Sequence, residues 1–288
     1  MNSEKKLSHR LLKLFPVKVL KNYFNSEETS NGLFREIIDT NTKSLIDDFA
    51  YSNLDFTKQH IYIFDITHQR GTLNTNISLE LFPYEVLTNR IIEDNLHLVI
   101  SPLVDFSTLL SNPFEQVVVR FHQPIKIVIT SNHLIFYATI LEKNINTYFD
   151  DTRKVMNVEK HNDETFVVKM ITDYFQNLNP RVCDLNRGIK KLWEDDIVDS
   201  KYAQWKKSRS TTTETMDENY TLKSQYPEVY QGLITAPIKK TVFKYLLNDD
   251  EMPENFTADP GMGQISIPLF PKSLNQNQNV VKKILSNN

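Results

Sequence analysis

Residues 181–209 hold the densest run of groups able to do chemistry in this 288-residue chain. Eight cations (Arg181, Arg187, Lys190, Lys191, Lys201, Lys206, Lys207 and Arg209) alternate with Trp193 and Trp205. Cations neutralise phosphates and release condensed counterions, and indole faces stack on unpaired bases. Ser208, Ser210, Thr211, Thr212 and Thr213 follow, with hydroxyls that donate to phosphate oxygens. Asp184, Glu194, Asp195, Asp196 and Asp199 cancel much of the charge. At helical spacing the two tryptophans read more simply as core anchors of an ordinary charged helix pair. On the functional reading, the nucleic-acid contacts are Lys190, Lys191, Trp205, Lys206, Lys207 and Arg209.

Other reactive groups are scattered. Asp65 lies between Phe64 and Ile66, with His60 and His68 nearby. A carboxylate with two imidazoles suits a metal or acid–base work. Strand alternation, however, puts Asp65 on the face opposite both histidines, so the three do not converge without a bulge. His122 and His133 flank one strand and a turn and read as packing or exposed groups. Asp150, Asp151, Asp163 and Glu164 are acidic pairs in a loop-rich stretch, with Lys169 beyond. Metal-dependent nucleases combine acids and a lysine in this way, but the spacing here matches no such pattern. Cys183 sits beside Arg181, which would lower a thiol pKa. A lone cysteine reads more simply as a small buried apolar residue. The stretch 259–263 (DPGMG) reads as a turn leading into a strand. No GxxxxGK[ST], GxGxxG, HExxH or GxSxG occurs, so no nucleotide loop, dinucleotide fold, zincin or serine hydrolase is indicated. No cofactor is implied.

The elements that must position these groups follow from periodicity. Leu7, Leu11, Leu14 and Phe15 fall at helical spacing, and Pro16 divides the basic N-terminal stretch into two short helices. Apolar residues at 33–49 predict another helix. Residues 60–68 (HIYIFDITH) predict the clearest strand, followed by a turn and a return strand at 73–81. A helix is expected around 84–94. Strands are expected at 96–100, 116–121, 125–130 and 134–141, with a tight turn at Ser131, Asn132 and His133. A strand and a helix follow at 155–160 and 165–175. Beyond Asp184 the pattern turns helical. Leu185, Ile189, Leu192 and Trp193 mark one helix face, and Ile197, Tyr202 and Trp205 mark another. Residues 210–215 (STTTET) read as a polar break, and helices are expected near Pro227 and Pro237. A short strand at 264–270 and a helix at 280–285 close the chain.

The fold class expected is α+β, with a sheet-rich, mostly antiparallel N-terminal half and a largely helical C-terminal half. The division expected is a helical segment at 1–30, a mixed sheet domain at 31–180 and a mainly helical region at 181–288 ending in a short strand. Net charge is −3, so any attraction to nucleic acid must come from a local patch. One cysteine forms no internal disulfide, no apolar run approaches the ~20 residues of a membrane span, and the N-terminus lacks an apolar signal core. These features predict a soluble protein of the cytoplasm or nucleus. The basic N-terminal stretch keeps mitochondrial targeting open as an alternative. The expected role is a non-catalytic binding or assembly protein with protein partners and a nucleic-acid contact. The alternative is a metal-dependent hydrolase whose acids, such as Asp65, Asp105 and Asp163, converge from distant segments.

Overall fold

Pro16 ends one helix and opens another, as its missing N–H dictates. The two are α1 (Ser3–Leu12) and α2 (Val17–Phe24). The protein is described by a computed structural model covering residues 3–67, 84–111, 113–141, 155–158, 162–207, 209–217 and 220–288. The predicted helix at 33–49 forms as α3 (Ser30–Thr40) and α4 (Lys43–Ser52). The Thr42 hydroxyl caps α4 by accepting the Leu45 N–H at 3.3 Å. The following strands are β1 (Gln59–Asp65), β2 (Val86–Ile92), β3 (Asn95–Ile100), β4 (Leu103–Leu110), β5 (Glu115–His122), β6 (Ile125–Ile129), β7 (His133–Thr139) and β8 (Val155–Val158). Then come α5 (Asp163–Met170), β9 (Arg181–Val182), α6 (Asn186–Glu194), β10 (Val198–Lys207) and β11 (Ser210–Thr215). The chain closes through α7 (Leu222–Gln225), α8 (Pro227–Ile234), β12 (Ile238–Tyr245), β13 (Asn255–Asp259), β14 (Gln264–Ile267) and α9 (Gln276–Leu285).

Among the described residues, eleven strands make one sheet in the order β11-β10-β12-β13-β14-β1-β7-β6-β3-β2, with β9 also on β1. All its pairings are antiparallel. A second sheet has the order β5-β4-β8. The fold is mixed α+β, but the expected division into a strand half and a helical half is wrong. Residues 181–288 supply six strands, β9 to β14, to the large sheet.

The reasons are local. Ile197, Tyr202 and Trp205 look helical because β10 carries register shifts between Ser200 and Tyr202 and between Gln204 and Trp205. A bulge inserts an unpaired residue and breaks the period-2 alternation that reveals a strand. The STTTET stretch is β11, in keeping with the strand preference of β-branched threonine. Pro237 does not begin a helix. Its carbonyl accepts the Lys206 N–H at 3.1 Å, and β12 starts at the next residue. The helix expected around 84–94 is the edge strand β2, and β4 had no sequence prediction. The predicted return strand at 73–81 and His68 lie outside the described residues.

Three apolar clusters hold the layers together. Helices α1 to α4 pack Leu12, Leu20, Leu33 and Phe49 against Val104, Phe106, Val119 and Phe121 of the small sheet. On one face of the large sheet, α6 to α9 cover Ile61, Ile63, Trp205, Phe243, Phe256 and Ile265 with Trp193, Leu222, Leu233, Val280 and Ile284. On the other face, α5 and the turns after it cover Tyr62, Phe64, Ile127 and Phe136 with Val167, Met170 and Phe175. That second cover reaches the β1 end only. Among the described residues, no apolar cluster lies over the same face of β10 to β13.

Candidate polyanion-binding face

The uncovered face is built by strand alternation from a fixed starting point. Asp199, near the start of β10, is 3% exposed. Its carboxylate accepts the Trp193 Nε1–H at 3.0 Å, the backbone N–H groups of Ser200 and Lys223 at 2.7 and 3.1 Å, and that of Ser224 at 3.3 Å. This locks β10 against α6 and α7. Past the bulge, Ala203 and Trp205 turn into the helix-covered core, so Tyr202, Gln204 and Lys206 face the other way.

The neighbouring strands continue the pattern. In β12, Phe243 and Tyr245 are core residues, which leaves Lys240, Val242 and Lys244 on the uncovered side. Cross-strand pairing aligns Tyr202 with Val242 and Gln204 with Lys240. On the outer edge, Thr211, Thr213 and Thr215 stand opposite Lys206, Gln204 and Tyr202. On β13, Thr257 and Asn255 stand opposite Val242 and Lys244. The result is a polar surface with three lysines, four threonines and one tyrosine. Lys206 and Lys240 are exposed and Lys244 is half-buried. None of the three is ion-paired among the described residues. Exposed Arg209, in the turn before β11, and Lys239 add cations at the same end. Among the described residues of β10 to β13, the acid on this face is Asp259. Burial holds its carboxyl above the usual range, opposed by a Met262 N–H and by Lys240 and Lys239.

The six predicted contacts divide between two layers. Lys206 and Arg209 belong to the basic end of the sheet, and Lys207 closes β10, its side chain outside the description. Trp205 is 2% exposed on the core side, so its indole is closed to a base. Lys190 and Lys191 are on α6, in the helical layer behind the sheet. Lys191 holds Asp195 at 2.6 Å, and burial lowers the Lys190 pKa against the pull of Asp184 and Glu194. With Arg187 and Asn288 they line a separate cleft of about 620 Å³. Lys240 and Lys244 were missed because a helix was expected where β12 runs. Their signal was the alternation of Lys240, Val242 and Lys244 with Thr241, Phe243 and Tyr245.

The acids proposed to converge do not meet. Asp105 is exposed on the small sheet and paired with Arg120 through 2.7 and 2.8 Å contacts. Asp163 accepts from Gln123 at 2.7 Å and lies 2.8 Å from His60 Nδ1. Asp65 is on the other face of β1 from His60, as alternation requires. Asp150 and Asp151 lie outside the described residues. Residues 259–263 form a tight turn with Gly263 at φ 59°, as the Pro-Gly signal implied. His122 is part-buried, 3.3 Å from the Ser101 hydroxyl, and burial lowers its pKa. Cys183 is buried, and burial pushes its thiol up to about 12 rather than down.

No family model matches the chain, and no curated protein and no solved structure is detectably similar to it. Among the described residues, no helix is long and apolar enough to cross a membrane.

Proposed function

We propose that this is a non-catalytic binding protein that holds single-stranded nucleic acid against the open face of β10 to β13, inside a larger assembly. The observation that carries the reading is Lys206, Lys240 and Lys244 on one sheet face, none of them in an ion pair among the described residues, with the half-buried Asp259 as the acid that acts on Lys240. Lysine side chains spaced along a flat sheet track a phosphate backbone, the adjacent threonine hydroxyls donate to phosphate oxygens, and Tyr202 offers a ring for stacking. A single strand suits the surface better than a duplex, because a sheet face has no element that enters a groove.

The test is filter binding of a labelled single-stranded oligonucleotide across a salt series. Each neutralised phosphate contributes about −0.7 to the slope of log K against log salt. Replacing Lys206, Lys240 and Lys244 together with alanine therefore flattens the slope by about 2. Replacing Lys190 and Lys191 leaves it unchanged. An unchanged slope in the triple variant, or equal losses in both variants, overturns the proposal.

A further inference from the structure

We infer that Asp65, His133 and Cys183 form a binding site for a divalent transition metal of the zinc class. Asp65 and His133 come from β1 and β7, Cys183 directly follows β9, and each offers one ligand atom. Those atoms, a carboxylate oxygen, an imidazole nitrogen and the thiol sulfur, all lie within 4.8 Å of one another. Asp65 Oδ1 is 3.6 Å from His133 Nε2. Tetrahedral zinc, with bonds of about 2.0–2.2 Å to nitrogen and oxygen, sets those two ligand atoms roughly 3.3–3.5 Å apart. Binding therefore needs only a side-chain adjustment.

The backbone around the cluster is tightly determined. Asp65 and His133 are directly opposed in the β1–β7 ladder, so their side chains leave the sheet on the same face. β14 borders β1 from Gln59 to Tyr62, and β9 replaces it at Phe64 and Asp65. At this exchange Ile63 donates to the Gly263 carbonyl at 2.9 Å and its own carbonyl accepts the Cys183 N–H at 3.1 Å. A Cβ on Gly263 would stand 2.5 Å from the Ile63 oxygen and 3.0 Å from the Cys183 oxygen. A glycine at φ 59° is what lets Cys183 reach the sheet.

The surroundings suit a cation. Asp65 is exposed, His133 half-buried and Cys183 buried, so an ion enters past the carboxylate and is held from beneath by sulfur. Asn288 Nδ2 lies 3.5 Å from the Cys183 sulfur, and its Oδ1 accepts the Gly188 N–H at 3.2 Å. An amide donor on sulfur stabilises a metal-bound thiolate, as outer-shell partners do. Without a metal the thiol stays protonated, because burial and the Asp65 carboxylate both disfavour its anion. That weakens a nucleophilic-cysteine reading, which needs a thiolate near neutral pH. The mixed oxygen, nitrogen and sulfur set favours zinc over calcium or magnesium, which take oxygen ligands. Three protein ligands leave the fourth tetrahedral position to water or another ligand.

The experiment uses the full chain without a histidine tag, stripped by chelator and titrated with Co²⁺ as an optical probe. The expected result is one Co²⁺ per chain, a thiolate-to-cobalt charge-transfer band in the near ultraviolet, and displacement by Zn²⁺. Asp65→Asn and His133→Gln each weaken binding by at least about tenfold, the lower bound for losing even an outer-shell partner. Cys183→Ser abolishes the charge-transfer band. Circular dichroism checks the fold of each variant, and the two variants at less buried positions decide the matter if the cysteine variant does not fold. No binding, Co²⁺ bound without the charge-transfer band, or wild-type affinity in both Asp65→Asn and His133→Gln overturns the assignment.

Discussion

Gly188 is the point of closest approach between α6 and α9, and adding one methyl group there tests the packing of the whole helical layer. A Cβ at Gly188 would lie 2.1 Å from the Ile284 carbonyl oxygen, 2.9 Å from its carbon and 3.1 Å from Ile284 Cγ2. An ordinary carbon–oxygen contact is about 3.3 Å, so α9 must retreat by roughly 1.2 Å. The carbonyl cannot simply turn away, since it accepts the Asn287 N–H at 3.2 Å. Retreat loosens Val280, Val281 and Ile284 from the core they share with Ile189 and Trp193. A gap of that size forfeits a large part of each dispersion contact. Overpacking costs up to about 3 kcal/mol, and alanine returns about 1 kcal/mol of helix propensity. Gly188→Ala therefore destabilises the fold by about 2 kcal/mol, or roughly 4 °C in Tm for a chain of this size. Gly232, in α8, is the matched control, because a Cβ there meets nothing within 4 Å. Gly232→Ala keeps only the propensity gain and stabilises by up to about 1 kcal/mol. Urea unfolding followed by tryptophan fluorescence measures both, with the m-value unchanged. A Gly188→Ala variant as stable as wild type, or two variants that move the same way, refutes the close-packing account.

Asp199→Ala removes the acceptor for an indole N–H and three backbone N–H groups in a buried site, and is expected to cost about 3 kcal/mol or more in urea unfolding. A loss below about 1 kcal/mol would mean that these donors find other partners, and that Asp199 does not anchor β10. Stability is also expected to fall as pH drops. Burial holds His97 and His122 below the ordinary value of 6.5, with Lys126 adding to the effect at His97 and Lys43 at His122, against Asp55, Glu93 and Asp47. The unfolded chain therefore takes up protons first, so this stability is complete above 6.5 and is lost as pH falls toward the folded-state values. Urea midpoints between about pH 7.5 and pH 5.5 should show the decline, and a His97→Gln, His122→Gln double variant should reduce it. An undiminished slope in that variant assigns the effect elsewhere.

What was legible in the sequence follows the distance over which its cause acts. The strands β1, β6 and β7 and the helices α6, α8 and α9 were visible because an apolar period, a turn or a first-turn proline lies within each. Ile189, Leu192 and Trp193 were read correctly as one helix face and are all core residues. β10 and β12 were not visible, since β10 is bulged and β12 opens as Ile238, Lys239 and Lys240 directly after Pro237, where the lysine pair breaks the alternation. That error hid Lys240 and Lys244 and left Lys206 and Arg209 attached to the wrong partners on α6. Had β12 been read as a strand, its alternation alone would have set Lys240 beside Val242 and Lys244.

The Asp65 cluster separates local information from long-range information more sharply. Alternation within β1 correctly removed His60 from Asp65, and the same rule then supplies the true partner once a single non-local fact is added. That fact is the β1–β7 register. Ile61 opposes Tyr137 and Ile63 opposes Ile135, and all four are buried in the core shared with α6 and α9. The next pair on that face must be Asp65 and His133, two residues on in one strand and two back in the other. Neither residue carries a sequence mark of this role, and Cys183 arrives only because β9 replaces β14 beside β1 at a positive-φ glycine. The apolar pairs that bury the sheet therefore also aim the polar pair beyond them. A one-residue slip in this ladder would turn Ile63 and Ile135 out of the core packed under α6 and α9 at the same time as it separated the ligands. The geometry of the proposed metal site is thus held by hydrophobic burial rather than by the ligands' own attractions.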